Sequence, residues 1–241
     1  MTLWLIRHGM TKGNQEHRYV GATNEGLLSE EKERLQAKAA NMDLHPTIIF
    51  VSPARRCRET AACLFLGLHA AQLRAGERLA PELIVVPEFM EMNFGAFEYK
   101  TYQEINADPD PAHRAAYQHY IDTNGEAAFP GGESKAAFTK RVCEGFERAV
   151  LPVLRAQDAR PEVSDAGDET TGRHTLRKDG SSAKSPALER SPSGDAPDIA
   201  IVAHGGTIMA LMERYAEPHK SYFEWSVKPG EGYRLDVTYR S

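Results

Sequence analysis

Residues 3–14, LWLIRHGMTKGN, run four apolar side chains directly into an Arg-His-Gly triplet and a polar turn. Four apolar positions are too few for a typical helix, and apolar residues in succession fit a strand covered on both faces. Three more runs have the same character: TIIFV (47–51), LIVV (83–86) and IAIVA (199–203). Helical patterns lie between them. SEEKERLQAKAANM opens with Ser29 as a candidate N-cap, and ARRCRETAACLFLGL spaces Cys57, Ala61, Leu64 and Leu68 at three and four residues. Strand and helix in alternation predict an α/β layer around a mostly parallel sheet. The last patterned segment, YRLDVTYR, alternates in polarity and predicts an edge strand with one solvated face.

The chain of 241 residues can bury one sizeable core, and one domain over 1–241 is the expectation. Its apolar fraction of 41% and charged fraction of 26% are those of ordinary globular proteins. No apolar run approaches the roughly 18 residues that would cross a bilayer, so no membrane association is expected. A strand begins almost at once, without the basic and long apolar regions of a signal peptide, and a cytoplasmic location follows as the expectation. The formal charge of −5 is mild and the basic residues form no stripe, which argues against nucleic acid and for a small anionic partner. Cys57, Cys63 and Cys143 are odd in number and lack zinc-site or CxxC spacing. They predict reduced thiols on helix faces, with neither disulfides nor structural metal.

A second group of helices is expected between residues 99 and 154. Pro130, Gly131 and Gly132 form the turn that separates them, and Ser134 beside Glu133 is a candidate cap for the long helix that follows. Tyr99, Tyr117 and Tyr120 are candidates for a substrate wall, packing being the plainer role of an aromatic on a helix. Residues 156–198 are rich in Ser, Asp, Gly, Pro and Ala and nearly empty of large apolar residues. Such a stretch buries too little surface to offset its ordering entropy and is expected to be a disordered insertion.

In open α/β sheets, ligands bind beyond the carboxyl ends of the strands. Arg7-His8-Gly9 follows the first strand, and His204-Gly205-Gly206 follows IAIVA. TIIFV is followed by Ser52-Pro53 and then by a helix that opens with Arg55, Arg56 and Arg58. Two histidines and an arginine-bearing helix start are thus expected at one rim. Guanidinium repels cations and grips phosphate oxygens in a bidentate fork, so the set suits an oxyanion better than a metal. A neutral imidazole is a competent nucleophile, and the arginines would stabilise charge spreading over a phosphoryl group in transfer.

With these motifs in place, the sequence resembles the histidine phosphatase superfamily, which includes the cofactor-dependent phosphoglycerate mutases. LIRHGMTKGN matches the nucleophile motif, SPARRCRETA the second-arginine motif and IVAHGG the second-histidine motif. The resemblance covers residues 2 to about 154 and 199 to about 238. It implies a three-layer α/β/α fold with a mostly parallel central sheet, phosphoglycerate mutase-like, and a helical substrate cap at 99–132. It also implies His8 as the phosphate-accepting nucleophile, with Arg7, Arg56 and His204 completing the phosphate pocket. Arg56 is preferred to Arg55 and Arg58 because it falls where Ser-Pro-x-x-Arg places the arginine. Asn14 is expected to hydrogen-bond a phosphate oxygen, Thr11 to assist, and Gly205 to join the substrate-binding set.

The expected general acid is Glu91, in EFMEMNFGAFE, with Glu88 and Glu98 as alternatives. The implied activity is metal-independent hydrolysis of a small phosphorylated metabolite without a cofactor. GNQEHRYVGATNEGLLSEE and FPGGESKAAFTKRV look most like the α-ribazole phosphatase type of cobalamin assembly. Phosphoglycerate mutase, a broad-specificity sugar-phosphate or phosphoserine phosphatase, and a non-catalytic phosphate-binding module are the competing readings. Lys32 stands where the family often has glycine, and the insertion at 156–198 departs from its compact pattern. The sequence leaves the oligomeric state open.

Overall fold

A computed structural model describes residues 2–42, 44–67, 81–158, 174–178 and 198–239. Among the described residues seven strands form one sheet: β1 (Thr2–Arg7), β2 (Pro46–Val51), β3 (Glu82–Val85), β4 (His174–Lys178), β5 (Asp198–Ala203), β6 (Ala216–Glu217) and β7 (Gly232–Tyr239). Their order across the sheet is β3-β2-β5-β1-β7-β4-β6. Neighbours β3, β2, β5 and β1 pair in parallel, while β7 runs antiparallel to both β1 and β4. The mostly parallel sheet and its flanking helices are the α/β architecture that the strand–helix alternation predicts.

The unbroken apolar runs have a direct cause. Along β1, Leu3 and Leu5 join a cluster with Phe50, Ile199 and Ile201 on one face, while Trp4 and Ile6 join Ile49, Val51, Ala200 and Val202 on the other. Both faces are covered, so alternate side chains need equal apolarity. Helices α2 (Ser29–Ala40) and α3 (Arg55–Ala61) contribute to the second cluster, through Leu35, Ala39, Cys57 and Ala61. Helices α6 (Lys135–Gly145) and α8 (Gly205–Tyr215) contribute to the first, through Phe138, Val142, Ile208 and Leu211.

Four local expectations need correction. Among the described residues β3 pairs with β2 alone and is an edge strand, and its Leu83 and Val85 are exposed by 40% and 46%. β7, expected at an edge, is interior, because β4 pairs with its far side. β4 itself lies inside the segment expected to be disordered. The open side of β7 offers five residues of the insertion a ladder of backbone partners, which composition alone does not register. The rest of that segment from residue 159 to 173 and from 179 to 197 lies outside the described residues, as does Leu68. Lastly, Leu28 rather than Ser29 occupies the N-cap of α2, with no side-chain cap bond.

Between β3 and α6 the chain carries α4 (Tyr102–Asn106) and α5 (Pro111–Asp122), within the range expected to form the cap. Tyr19, Phe94, Phe97, Tyr117, Tyr120 and Phe129 pack ring against ring beneath them, with centroids 4.3–6.3 Å apart. Ser134 caps α6 through Ala137 N–H. That helix continues through a π-helical turn, Phe146–Val150, into α7 (Leu151–Asp158). The three cysteines are buried and unpaired. Among the described residues no helix is long and apolar enough to cross a membrane.

Candidate active site

Because β2, β5 and β1 are parallel neighbours, the residues that follow them emerge side by side. The ladder fixes His8 on both sides: its N–H donates to Ala203 O at 2.9 Å, and Gly230 N–H donates to His8 O at 3.0 Å. His8 and His204 then face each other, ring centroids 5.2 Å apart at 69°. Both are buried, with exposures of 3% and 0%.

The tautomer of His8 follows from its partner. Nδ1 lies 2.8 Å from Gly9 O, and a carbonyl oxygen only accepts, so Nδ1 carries the proton and donates it. Nε2 therefore keeps its lone pair. Burial, followed by the charges of Arg56 and Arg7, holds the His8 pKa well below the ordinary histidine value, so the ring stays neutral. His204 is lowered in the same way, again by burial first and then by Arg56. Its Nε2 lies 2.8 Å from Ser52 Oγ, and Cys57 Sγ packs at 3.6 Å.

Arg56 is fully buried in the first turn of α3. It donates to Thr23 O at 2.7 Å, Gly21 O at 3.0 Å and Val20 O at 3.2 Å. Glu98 grips the same segment from its amide side, accepting from Gly21 and Thr23 N–H at 2.9 Å each. Arg7 donates from Nη1 to Val227 O at 2.7 Å. The Nε atoms of Arg7 and Arg56 are buried without a hydrogen-bond partner among the described residues, as is Asn14 Oδ1. A buried, unmatched donor is costly, and two of them on guanidinium groups call for an anionic acceptor. Asn14's amide, turned about its last bond, would present N–H instead of oxygen at the same place.

Glu91 completes the set. Its Oε1 accepts from Met92 N–H at 2.9 Å and its Oε2 from Gly206 N–H at 3.1 Å, at the start of α8. Burial nevertheless raises its pKa, against the pull of those two amides and of Arg56 and Arg7. A Cβ at position 206 would stand 2.3 Å from Glu91 Oε1, so a larger residue there would displace the carboxylate. Gly205 lies against the Arg7 guanidinium, where a Cβ would come within 3.3 Å of Cζ.

His8, Arg7, Arg56, His204 and Glu91 thus occupy one place, and the other candidates are engaged nearby or elsewhere. Thr11 is buried and caps α1 (Lys12–Gln15), accepting from Asn14 N–H at 3.2 Å. Glu88 pairs with Arg148 at 2.6 Å, and Glu98 serves the backbone as described. Arg55 pairs with Glu59 at 2.8 Å on the surface. Lys32 pairs with the same Glu59 at 3.2 Å. Tyr117 is core, exposed by 3%.

Sequence reasoning gave no role to Thr60. Its hydroxyl accepts from Gly9 N–H at 2.9 Å and donates to Arg56 O at 2.7 Å, tying the His8 loop to the arginine helix. Its position four residues after Arg56, one turn along α3, was the available signal. Tyr222, whose hydroxyl donates to Gly206 O at 3.2 Å, left no such signal.

A family model described as histidine phosphatase superfamily (branch 1) matches residues 3–151. A bifunctional protein of Mycobacterium tuberculosis is 32% identical over 152 residues, which are 62% of this chain and 37% of that one. This chain therefore spans little more than a third of that relative's length. The adenosylcobalamin/alpha-ribazole phosphatase of Escherichia coli K12 is 30% identical over 148 residues, 60% of this chain and 68% of that protein. Among solved structures, that of an alpha-ribazole phosphatase from Shigella flexneri superposes with a TM-score of 0.67 at 22% identity, covering 100% of this chain and 95% of that one. At that identity the likeness is one of fold.

Proposed function

The chain belongs to the histidine phosphatase superfamily, and from that premise and the site we propose that it is a phosphomonoesterase working through a phosphohistidine on His8. The observation that carries this reading is the neutral His8 ring, its Nε2 unprotonated, beside two guanidinium groups whose buried Nε–H donors have no partner among the described residues. In the first step the Nε2 lone pair forms the N–P bond as the P–O bond to the leaving oxygen breaks. The Glu91 carboxyl gives its proton to that oxygen, so an alcohol departs. In the second step a water oxygen attacks phosphorus, its proton passes to the Glu91 carboxylate, and the N–P electron pair returns to Nε2. Inorganic phosphate leaves and the enzyme is restored. Arg7, Arg56 and His204 hold the phosphoryl oxygens and stabilise their charge, which supplies the positive field that other phosphatases take from metal ions.

For substrate, the reading favours a phosphate ester with an aromatic or nucleoside-like alcohol, α-ribazole 5'-phosphate being the candidate. It rests on the resemblance of GNQEHRYVGATNEGLLSEE and FPGGESKAAFTKRV and on the aromatic pair Tyr19 and Phe94 beside the segment that Arg56 holds. Phosphate release from α-ribazole 5'-phosphate, 3-phosphoglycerate and an aryl phosphate, compared at matched enzyme, tests it. A lead of about 100-fold in kcat/KM for the first supports the assignment, since pocket recognition commonly supplies discrimination of that size. Equal, slow hydrolysis of all three removes the named substrate and keeps the chemistry. Isomerisation of 3-phosphoglycerate faster than phosphate release would replace hydrolase by mutase.

The pKa directions set the pH dependence. Phosphoryl transfer needs His8 neutral and Glu91 protonated. Because His8 is lowered, activity fails only when pH falls through a value well under the usual histidine range. Because Glu91 is raised, its proton persists above the usual carboxyl range and is lost as pH rises through that higher value. The profile of kcat/KM is expected to be a bell whose acid limb is set by His8 and whose alkaline limb by Glu91, and Glu91→Gln is expected to flatten the alkaline limb. Substrate ionisation is common to both enzymes and cancels in their comparison; an unchanged alkaline limb in the variant would assign it to another group.

A further inference from the structure

Resting on the assignment of Glu91 as proton donor, we propose that Arg141, held in place by Glu133, is the positioning residue for that carboxyl. Neither residue touches the reacting atoms. The segment that carries Glu91 has little regular structure of its own, only the 3-10 turn Pro87–Phe89, so its carbonyls must find partners elsewhere. Arg141, on α6, supplies them. Its Nη1 donates to Glu88 O at 2.8 Å and Met90 O at 3.0 Å, and its Nη2 reaches Glu91 O at 3.4 Å. One guanidinium thereby spans the acid's own peptide and two carbonyls before it.

The other edge of the guanidinium is fixed in turn. Nε donates to Glu133 Oε1 at 2.9 Å and Nη2 to Glu133 Oε2 at 2.7 Å, a fork on a fork. Glu133 also accepts from Asn93 N–H at 2.9 Å, and its own N–H donates to Asn93 O at 2.9 Å. Burial acts to raise the Glu133 pKa, but the hydrogen bonds from Arg141 and Asn93 outweigh it and leave the carboxyl below its ordinary value. The PGGES turn, which phosphate chemistry does not use, is thus the anchor of a bracket that closes around residues 88–93. Within that bracket Glu91 reaches Met92 and Gly206 N–H, so close to Gly206 that a single added carbon there would stand 2.3 Å from the carboxylate and displace it.

A residue that positions an acid has a signature that a merely stabilising residue lacks: its loss matters in proportion to how much the leaving group needs a proton. The test compares an alkyl phosphate, whose alkoxide must be protonated, with p-nitrophenyl phosphate, whose phenolate leaves unaided. Arg141→Met is expected to lower kcat/KM about 30-fold for the alkyl ester and less than about threefold for the aryl ester. Arg141→Lys is expected to restore little, because an ammonium cannot span three carbonyls and a carboxylate together. Arg141→Met combined with Glu91→Gln should be no slower on the alkyl ester than Glu91→Gln alone, since the first residue acts through the second.

Equal losses on both esters, or losses that multiply in the double variant, would overturn the proposal while leaving Glu91 as acid. If Glu91→Gln itself shows no preference between the esters, the acid assignment fails and the bracket loses its purpose with it. Thermal melts accompany each variant. Should Arg141→Met fail to fold, Glu133→Gln carries the same two-ester comparison, with the same selective loss expected.

Discussion

Replacing His8 with alanine is expected to lower kcat/KM by about 10⁵-fold, as deletion of a covalent nucleophile does when the surrounding charges remain. Rapid acid-free quenching of wild type with labelled substrate should trap one acid-labile phosphoryl group per chain, and the variant none. The fold should survive. His8 is buried but uncharged, beside Arg7 and Arg56, and among the described residues its side chain hydrogen-bonds only the adjacent carbonyl of Gly9. Its removal should move the melting temperature by only a few degrees. Activity above about 1% of wild type, or label retained in the variant, would place the nucleophile elsewhere; a collapse of stability would make the loss uninformative for catalysis, and His8→Asn then repeats it with a polar side chain in place.

The second large effect is expected at Arg56, and it is double. Arg56→Ala removes the donors to Val20, Gly21 and Thr23 carbonyls in a fully buried setting. Unmatched buried acceptors of this kind should cost about 3 kcal/mol of stability, read from urea denaturation. The same change removes one of the two guanidiniums from the phosphoryl site and should lower kcat/KM by about 10³-fold. Arg56→Lys separates the two roles. It keeps the charge near the phosphate but loses the planar fork, so stability should fall nearly as far while part of the activity returns. If Arg56→Ala unfolds at the wild-type urea concentration and loses less than tenfold in kcat/KM, the arginine is neither strut nor phosphate ligand.

Much of this site was legible because strand-end residues obey topology. Once LWLI, TIIFV and IAIVA read as parallel strands, His8, Arg56 and His204 had to emerge at one rim, and the order β2-β5-β1 puts them side by side. Glu91 was less legible. It follows an edge strand through an irregular turn, so only resemblance to a family motif distinguished it from Glu88 and Glu98. The partners that hold the set were not legible, because their bonds cross 50 to 152 positions of sequence: Thr60 to Gly9, Arg141 to the Glu91 segment, Ser52 to His204. A spacing signal existed for one of these: Thr60 stands four residues after Arg56, one turn along α3. The sheet's margins were misjudged for a different reason: whether a strand lies at an edge depends on what pairs beside it, and β4 comes from a stretch whose composition argues against structure.

The direction of β5 has a practical consequence. Asp198 stands at the amino end of that strand, whereas His204 follows its carboxyl end. The strand's six residues separate the two by roughly 17–20 Å. Length can accordingly be added or exchanged at the entry without altering the distances among the reacting groups. A linker to a surface, a reporter or a second protein spliced there would be carried on the far side of the molecule, leaving the mouth of the phosphate site clear.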